Sequence, residues 1–303
     1  MILCTLFLLA GQPVPEDGGI TRILLVGDSW ADYMWQDQVL RSVFLDEGHA
    51  ILEKGDVTAI SGSTAAEWAS PAFLQSIEGE LSANPSIDLV QLTMGGNDFL
   101  AGMSGGGWYA GMPPAEEEAL YQQVQQDLET VIDHLLGYDP ELEIVLSFYD
   151  YPNFVETLVF INFVCNNLWD DLNQPTPTEM NQLLVELMVR VRTTAAIRPR
   201  VSLVEHLGLM QFHFGYPSMG ILGGELLPPG DLTLPSPPEA MRLGGLDCFH
   251  LNAEGYRVLA QNLYDTFYSH HFCVQPIQLQ QAEVLWPAQD VLVLSDLINR
   301  LCE

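Results

Sequence analysis

The chain has 303 residues, 48% of them hydrophobic, which is enough for one sizeable core and favours a single elaborated domain over two equal ones. Forty acidic residues against ten basic ones give a formal charge of −30, and Lys54 is the only lysine. Such a surface repels polyanions, so neither nucleic acid nor anionic membrane is expected as a partner. The charges are dispersed, as on a solvated acidic face, and the scarcity of lysine suits a salt-adapted source.

Ile2 to Ala10 is apolar, too short to span a bilayer but long enough for a secretory h-region, although no basic residue precedes it. Residues 1–19 therefore read as a leader or signal remnant with a linker, which points to a secreted or periplasmic protein. The alternative is a segment packed on the fold. Arg22 to Val26 is a short apolar run ending at Gly27, as expected of a buried parallel strand. Further strands are expected at Val57 to Ile60, Asp88 to Met94, Glu143 to Phe148 and Val201 to Glu205. Helical patterns alternate with them, at Ala65 to Leu81, Pro114 to Leu136, Thr178 to Ile197 and Ala253 to Tyr268. The second starts on Pro114 with Glu116, Glu117 and Glu118 behind it, and Gly137 marks its end. This alternation predicts an α/β fold, a three-layer α/β/α sandwich on a five-stranded parallel sheet, spanning residues 20–272. Residues 273–303 form a C-terminal extension with an apolar stripe at helical spacing, either docked on the same domain or a small sorting element.

Three separated stretches carry chemistry: Gly27-Asp28-Ser29-Trp30, Gly95-Gly96-Asn97-Asp98 and Asp247-Cys248-Phe249-His250. A serine hydroxyl is a weak nucleophile until an imidazole can take its proton, so Ser29 needs a histidine, and His250 is the candidate. The imidazole in turn needs a carboxylate to fix its tautomer, and Asp247 lies three residues before it, within reach on one helical turn or tight loop. Negative charge on the tetrahedral intermediate requires donors, which the backbone amides of Ser29 and Gly62 and the side-chain amide of Asn97 can supply. Each motif alone is a common turn or cap. Together, in this order and each after an expected strand or on a tight local segment, they describe one catalytic apparatus, beyond the strand ends where such sheets bind ligands.

The residues resemble the SGNH hydrolases, or GDSL-type esterases and lipases, over about residues 22 to 270. By that resemblance Ser29 matches the nucleophile, Gly62 the glycine of the second block, Asn97 the asparagine of the third, and Asp247 with His250 the last block. Trp30 departs from the leucine that often follows the serine. The resemblance also implies a strand order of 2-1-3-4-5, which the sequence alone leaves open.

Three long insertions shape the expected pocket: Phe99 to Pro113, Tyr151 to Thr176 and Gly208 to Gly245. Trp30, Phe99, Trp108 and Tyr109 are the candidate pocket residues, although such aromatics also serve auxiliary cores. Outside the leader, Cys165, Cys248, Cys273 and Cys302 form an even set, read as Cys165–Cys248 and Cys273–Cys302 disulfides, with buried free thiols as the alternative. No CxxC or HxxxH spacing occurs, so no metal and no cofactor are expected. The expected activity is hydrolysis of a small-molecule or glycan-linked carboxylic ester, lost at acidic pH as His250 becomes protonated. A carbohydrate O-acetylesterase is the nearest alternative, and a binding module on a retired hydrolase scaffold the more distant one.

Overall fold

The computed structural model describes residues 19–156, 163–216, 221–222 and 230–272. The leader up to Gly18, the extension from Cys273 and the proposed Cys273–Cys302 pair lie outside the described residues.

Five parallel strands form one sheet: β1 (Ile20–Gly27), β2 (Ile51–Lys54), β3 (Leu89–Thr93), β4 (Glu143–Ser147) and β5 (Val201–Val204), in the order β2-β1-β3-β4-β5. The middles of β1, β3 and β4 are enclosed and mostly apolar, with Gln91 as a buried polar exception. Leu24 pairs with Val90 and Val90 with Ile144, and all three have no exposed surface. Parallel strands need crossovers, and helices on both faces provide the cover. On one face α1 (Ser29–Gln36) and α2 (Val39–Asp46) pack with α12 (Ala253–Leu263). On the other, α7 (Pro114–Tyr138) packs against α3 (Ala65–Trp68), α4 (Pro71–Ala83) and α9 (Pro177–Ala196). The remaining helices are short: α5 (Gly96–Leu100), α6 (Gly102–Gly105), α8 (Phe163–Asp171), α10 (Leu209–Phe214), α11 (Arg242–Gly245) and α13 (Ser269–His271). This is the expected sandwich, in the expected strand order.

Local chemistry explains the element ends. Thr176 and Glu179 close a reciprocal capping box before α9, with Pro177 in its first turn, where a missing N–H costs nothing. The expected helix from Ala65 to Leu81 is two helices, because Pro71 cannot donate to a preceding turn and instead starts α4. The pattern from Ala253 to Tyr268 is also divided, since α12 gives way to a π-helical turn at Tyr264–Tyr268.

One strand lies elsewhere than expected. Val57 to Ile60 is not a strand; its ends are exposed, and it meets β1 through the single Gly27–Ala59 bridge and the Thr58 hydroxyl, which donates to the Leu25 carbonyl at 2.6 Å. The second strand is Ile51–Lys54, whose Glu53 and Lys54 disguise it as polar chain. It occupies the sheet edge, where Lys54 can reach Asp56 and Glu80 while Glu53 accepts from the Arg41 amide at 3.4 Å. The helices α1 and α2, eight residues each, were not anticipated, being too short for a periodic pattern to stand out.

Candidate active site

The strands β1 and β3 deliver two of the three motifs side by side. Gly27 is the last residue of β1, and its register partner is Thr93 at the end of β3. A Cβ on Gly27 would lie 1.8 Å from the Thr93 carbonyl oxygen, so no side chain fits where the two strand ends converge. Asp28 then caps α1 by accepting a hydrogen bond from the Trp30 amide at 3.0 Å, which puts Ser29 in the first turn of that helix. Positive potential at a helix start favours negative charge developing beside Ser29.

His250 Nε2 lies 2.7 Å from Ser29 Oγ, and His250 Nδ1 lies 2.9 Å from Asp247 Oδ2. The segment bearing the pair is a tight loop, organised around the same carboxylate: Asp247 Oδ1 accepts from the amides of Phe249 at 3.1 Å and His250 at 2.9 Å. Burial alone would raise the pKa of Asp247. Its bonds and charge interaction with His250, with those two amides, outweigh burial and hold it below the ordinary carboxylate value. An ionised carboxylate only accepts, so Nδ1 carries the proton and Nε2 is left to accept from the serine.

The loop is pinned from outside. Cys248 is disulfide-bonded to Cys165 on α8, 83 residues away in sequence, and the Cys248 carbonyl accepts from the Asn153 amide at 2.7 Å. The Arg242 amide donates to the His250 carbonyl at 2.8 Å. The imidazole is flanked by the rings of Phe249 and Tyr33, with centroids at 4.3 and 4.9 Å, and Tyr33 is covered by the Arg242 guanidinium, itself paired with Asp37.

Gly62 sits in a turn closed by the Ser63 amide on the Ile60 carbonyl at 3.1 Å. Its φ of +84° is left-handed backbone, while a Cβ there would meet nothing, so conformation and not space selects glycine. Asn97 donates one amide proton to the Ser63 carbonyl at 2.9 Å. Because that partner can only accept, the bond fixes which end of the amide is nitrogen and leaves its second proton for another acceptor. Asp98 joins the same two blocks, accepting from the Ala65 amide at 2.8 Å.

Tyr149 ties the motifs together and was not anticipated. Its hydroxyl donates to Asp28 Oδ2 at 2.6 Å and accepts from the Gly96 amide at 2.8 Å, bridging the turn that carries Ser29 to the turn that carries Asn97. Burial pushes Asp28 up to about 7, against the lowering effect of its bonds from Tyr149 and Trp30. The signal was present in sequence only as a tyrosine one residue past an expected strand. Tyr149→Phe leaves the Gly96 amide unpaired and takes a donor from a buried carboxylate. It is expected to lower unfolding free energy by about 1–3 kcal/mol, read as a fall in denaturant midpoint. An unchanged midpoint would refute the bridge.

A cavity of about 50 Å³ opens beside the serine, bordered by Ser29, Trp30, Asn97, Phe99 and Tyr149, with Met180 and Leu184 of α9 opposite. Of the four expected pocket residues, Trp30 and Phe99 border this cavity, whereas Trp108 and Tyr109 line a separate one of about 640 Å³ with Glu117, Glu186 and Arg190. The cause is a polar one. The buried Trp108 indole requires an acceptor for its N–H and finds it in Glu117 Oε1 on α7, at 2.7 Å, which holds the ring against that helix. Phe154 is buried in the core, and Phe160 lies outside the described residues. Among the described residues no group of three or more His, Cys, Asp or Glu side chains is placed to hold a metal, and no helix is long and apolar enough to cross a membrane.

The chain is similar to several known proteins. In solved structures, a Clostridium thermocellum family 3 carbohydrate esterase shares 18% identity, with 82% of this chain and 94% of that one covered and a TM-score of 0.45. A family 3 carbohydrate esterase from Talaromyces cellulolyticus shares 12%, with 82% and 97% covered and a TM-score of 0.41. No curated protein matches the chain in sequence. The model of the GDSL-like lipase/acylhydrolase family matches residues 22–263, most of the chain and all three motifs. The chain belongs to the GDSL-like lipase/acylhydrolase family and is a serine hydrolase acting on ester bonds.

Proposed function

We propose that the chain hydrolyses carboxylic esters through a covalent acyl-enzyme, with Ser29, His250 and Asp247 as its triad and residues 20–272 as its catalytic domain. The observation that carries this reading is the continuous hydrogen-bonded line from Ser29 Oγ to His250 at 2.7 Å and on to Asp247 at 2.9 Å. Ser29 Oγ attacks the ester carbonyl while its proton passes to His250 Nε2, and Asp247 stabilises the imidazolium. The carbonyl oxygen, now negative, accepts from the amides of Ser29 and Gly62 and from the remaining proton of Asn97. Preorganised donors of this kind are worth about 3–4 kcal/mol each. His250 returns the proton to the departing alkoxide, the C–O bond breaks, and the alcohol leaves. Water, deprotonated by His250, then attacks the acyl-enzyme and releases the acid.

The Cys165–Cys248 disulfide supports a location outside the cytoplasm, because reducing compartments seldom maintain such bonds. The test is covalent labelling. A fluorophosphonate is expected to modify Ser29, seen as a mass shift on the peptide containing it, and not to modify the Ser29→Ala variant. Absence of labelling in the folded protein would sink the reading.

A further inference from the structure

Which side of the serine receives the acyl group follows from the path of the proton. The leaving oxygen must collect its proton from His250 Nε2, so the alcohol lies on the imidazole side and the acyl chain points away from it. The cavity beside Ser29 is bordered by Ser29 and Asn97; from the segment that carries the imidazole it is bordered by Phe249 but by neither His250 nor Asp247. It is therefore the acyl side. Its far wall comes from one helix, α9, through Met180, Leu183 and Leu184, each at most 9% exposed.

Two properties of this cavity define the acyl group. First, apart from Ser29 and the free amide proton of Asn97, which face the reacting carbonyl, the charged and hydroxyl groups in its lining already have partners. Asp28 accepts from Trp30 and Tyr149, the Tyr149 hydroxyl accepts from Gly96, and Asp150 accepts from the amides of Tyr151, Gly208 and Met210 at 2.6–2.7 Å. A hydroxylated or charged acyl group would be buried there without compensation. Second, a volume of about 50 Å³, at roughly 10–15 Å³ for each water-sized group, accommodates about three to five carbons beyond the carbonyl. We infer that the enzyme is selective for unsubstituted alkyl esters of about four to six acyl carbons, and that α9 sets the limit through Met180 and Leu184. This inference rests on the esterase reading above.

Each buried methylene contributes about fourfold in kcat/KM. Across p-nitrophenyl acetate, butyrate, hexanoate, octanoate and decanoate, the full chain is expected to prefer butyrate or hexanoate, with butyrate about tenfold or more above acetate and decanoate well below hexanoate. Leu184→Ala should move the optimum to octanoate, and Leu184→Phe should move it to acetate. Met180→Ala provides a second opening of the same wall should either Leu184 variant fail to fold. An optimum at acetate in the unaltered protein, a flat profile, or a profile unmoved in the folded variants would overturn the inference while leaving the esterase intact. No turnover of any ester, with no fluorophosphonate labelling, would instead overturn the esterase reading and the inference with it.

Discussion

Ser29→Ala is expected to lower kcat for short p-nitrophenyl esters by about five to six orders of magnitude, with the fold preserved. Ser29 is 7% exposed, and its hydroxyl is hydrogen-bonded to His250. Removing the oxygen opens no large cavity, and the imidazole keeps its bond to Asp247. Near-native circular dichroism and melting temperature should therefore accompany the lost turnover. Adding His250→Ala on top should cost little more, because the pair acts as a unit and its effects do not add. Retention of more than about a hundredth of the original rate in the single variant would exclude Ser29 as the nucleophile, since a missing attacking atom has no graded effect.

Asp247→Asn is the second large effect, about 10⁴-fold in kcat with KM and thermal stability little altered. The size follows from how the loop uses the two carboxylate oxygens. Oδ1 accepts from the amides of Phe249 and His250, so an asparagine keeps its carbonyl oxygen there and turns its NH₂ group toward His250 Nδ1. That NH₂ can only donate. Nδ1 must then accept, the proton moves to Nε2, and the imidazole no longer has a lone pair for Ser29. Asp247→Ala differs, because it removes the two backbone contacts as well and should reduce stability along with rate. Steady-state kinetics and thermal melts on both variants separate the cases. A kcat within tenfold of the parent for Asp247→Asn would show that the carboxylate does not control the tautomer.

The parts of the molecule that could be read directly are those in which neighbours in sequence are also neighbours in the mechanism. Asp247 and His250 interact within one loop, and Asp28 caps the helix that begins with Ser29. The largely apolar runs of β1, β3 and β4 also announced themselves, since a strand covered on both faces admits a polar residue only where it finds a partner, as Gln91 does in Tyr268. The edge strand Ile51–Lys54 was hidden because its outer position tolerates charge, and Val57 to Ile60 imitated a strand by composition alone. Pairing of Cys165 with Cys248 could be suggested from an even count and is present in the fold, but only the packing of α8 on the catalytic loop brings the sulfurs together.

The pocket shows the boundary most clearly. Trp30 and Phe99 stand within two residues of a motif residue and could hardly lie elsewhere than near Ser29. Trp108 and Tyr109, eleven and twelve residues past Asn97, are carried off by the hydrogen bond from the Trp108 indole to Glu117. Tyr149, Met180 and Leu184 come from distant elements and reach the site only when β4 pairs with β3 and α9 packs on β5 and α7. By itself the sequence determined the family and its ester chemistry, because the residue types of the three motifs and their order along the chain carry that signature. The tertiary structure alone decided the shape of the cavity beside Ser29, because its walls come from elements far apart in sequence that meet through burial, which leaves no local pattern to read.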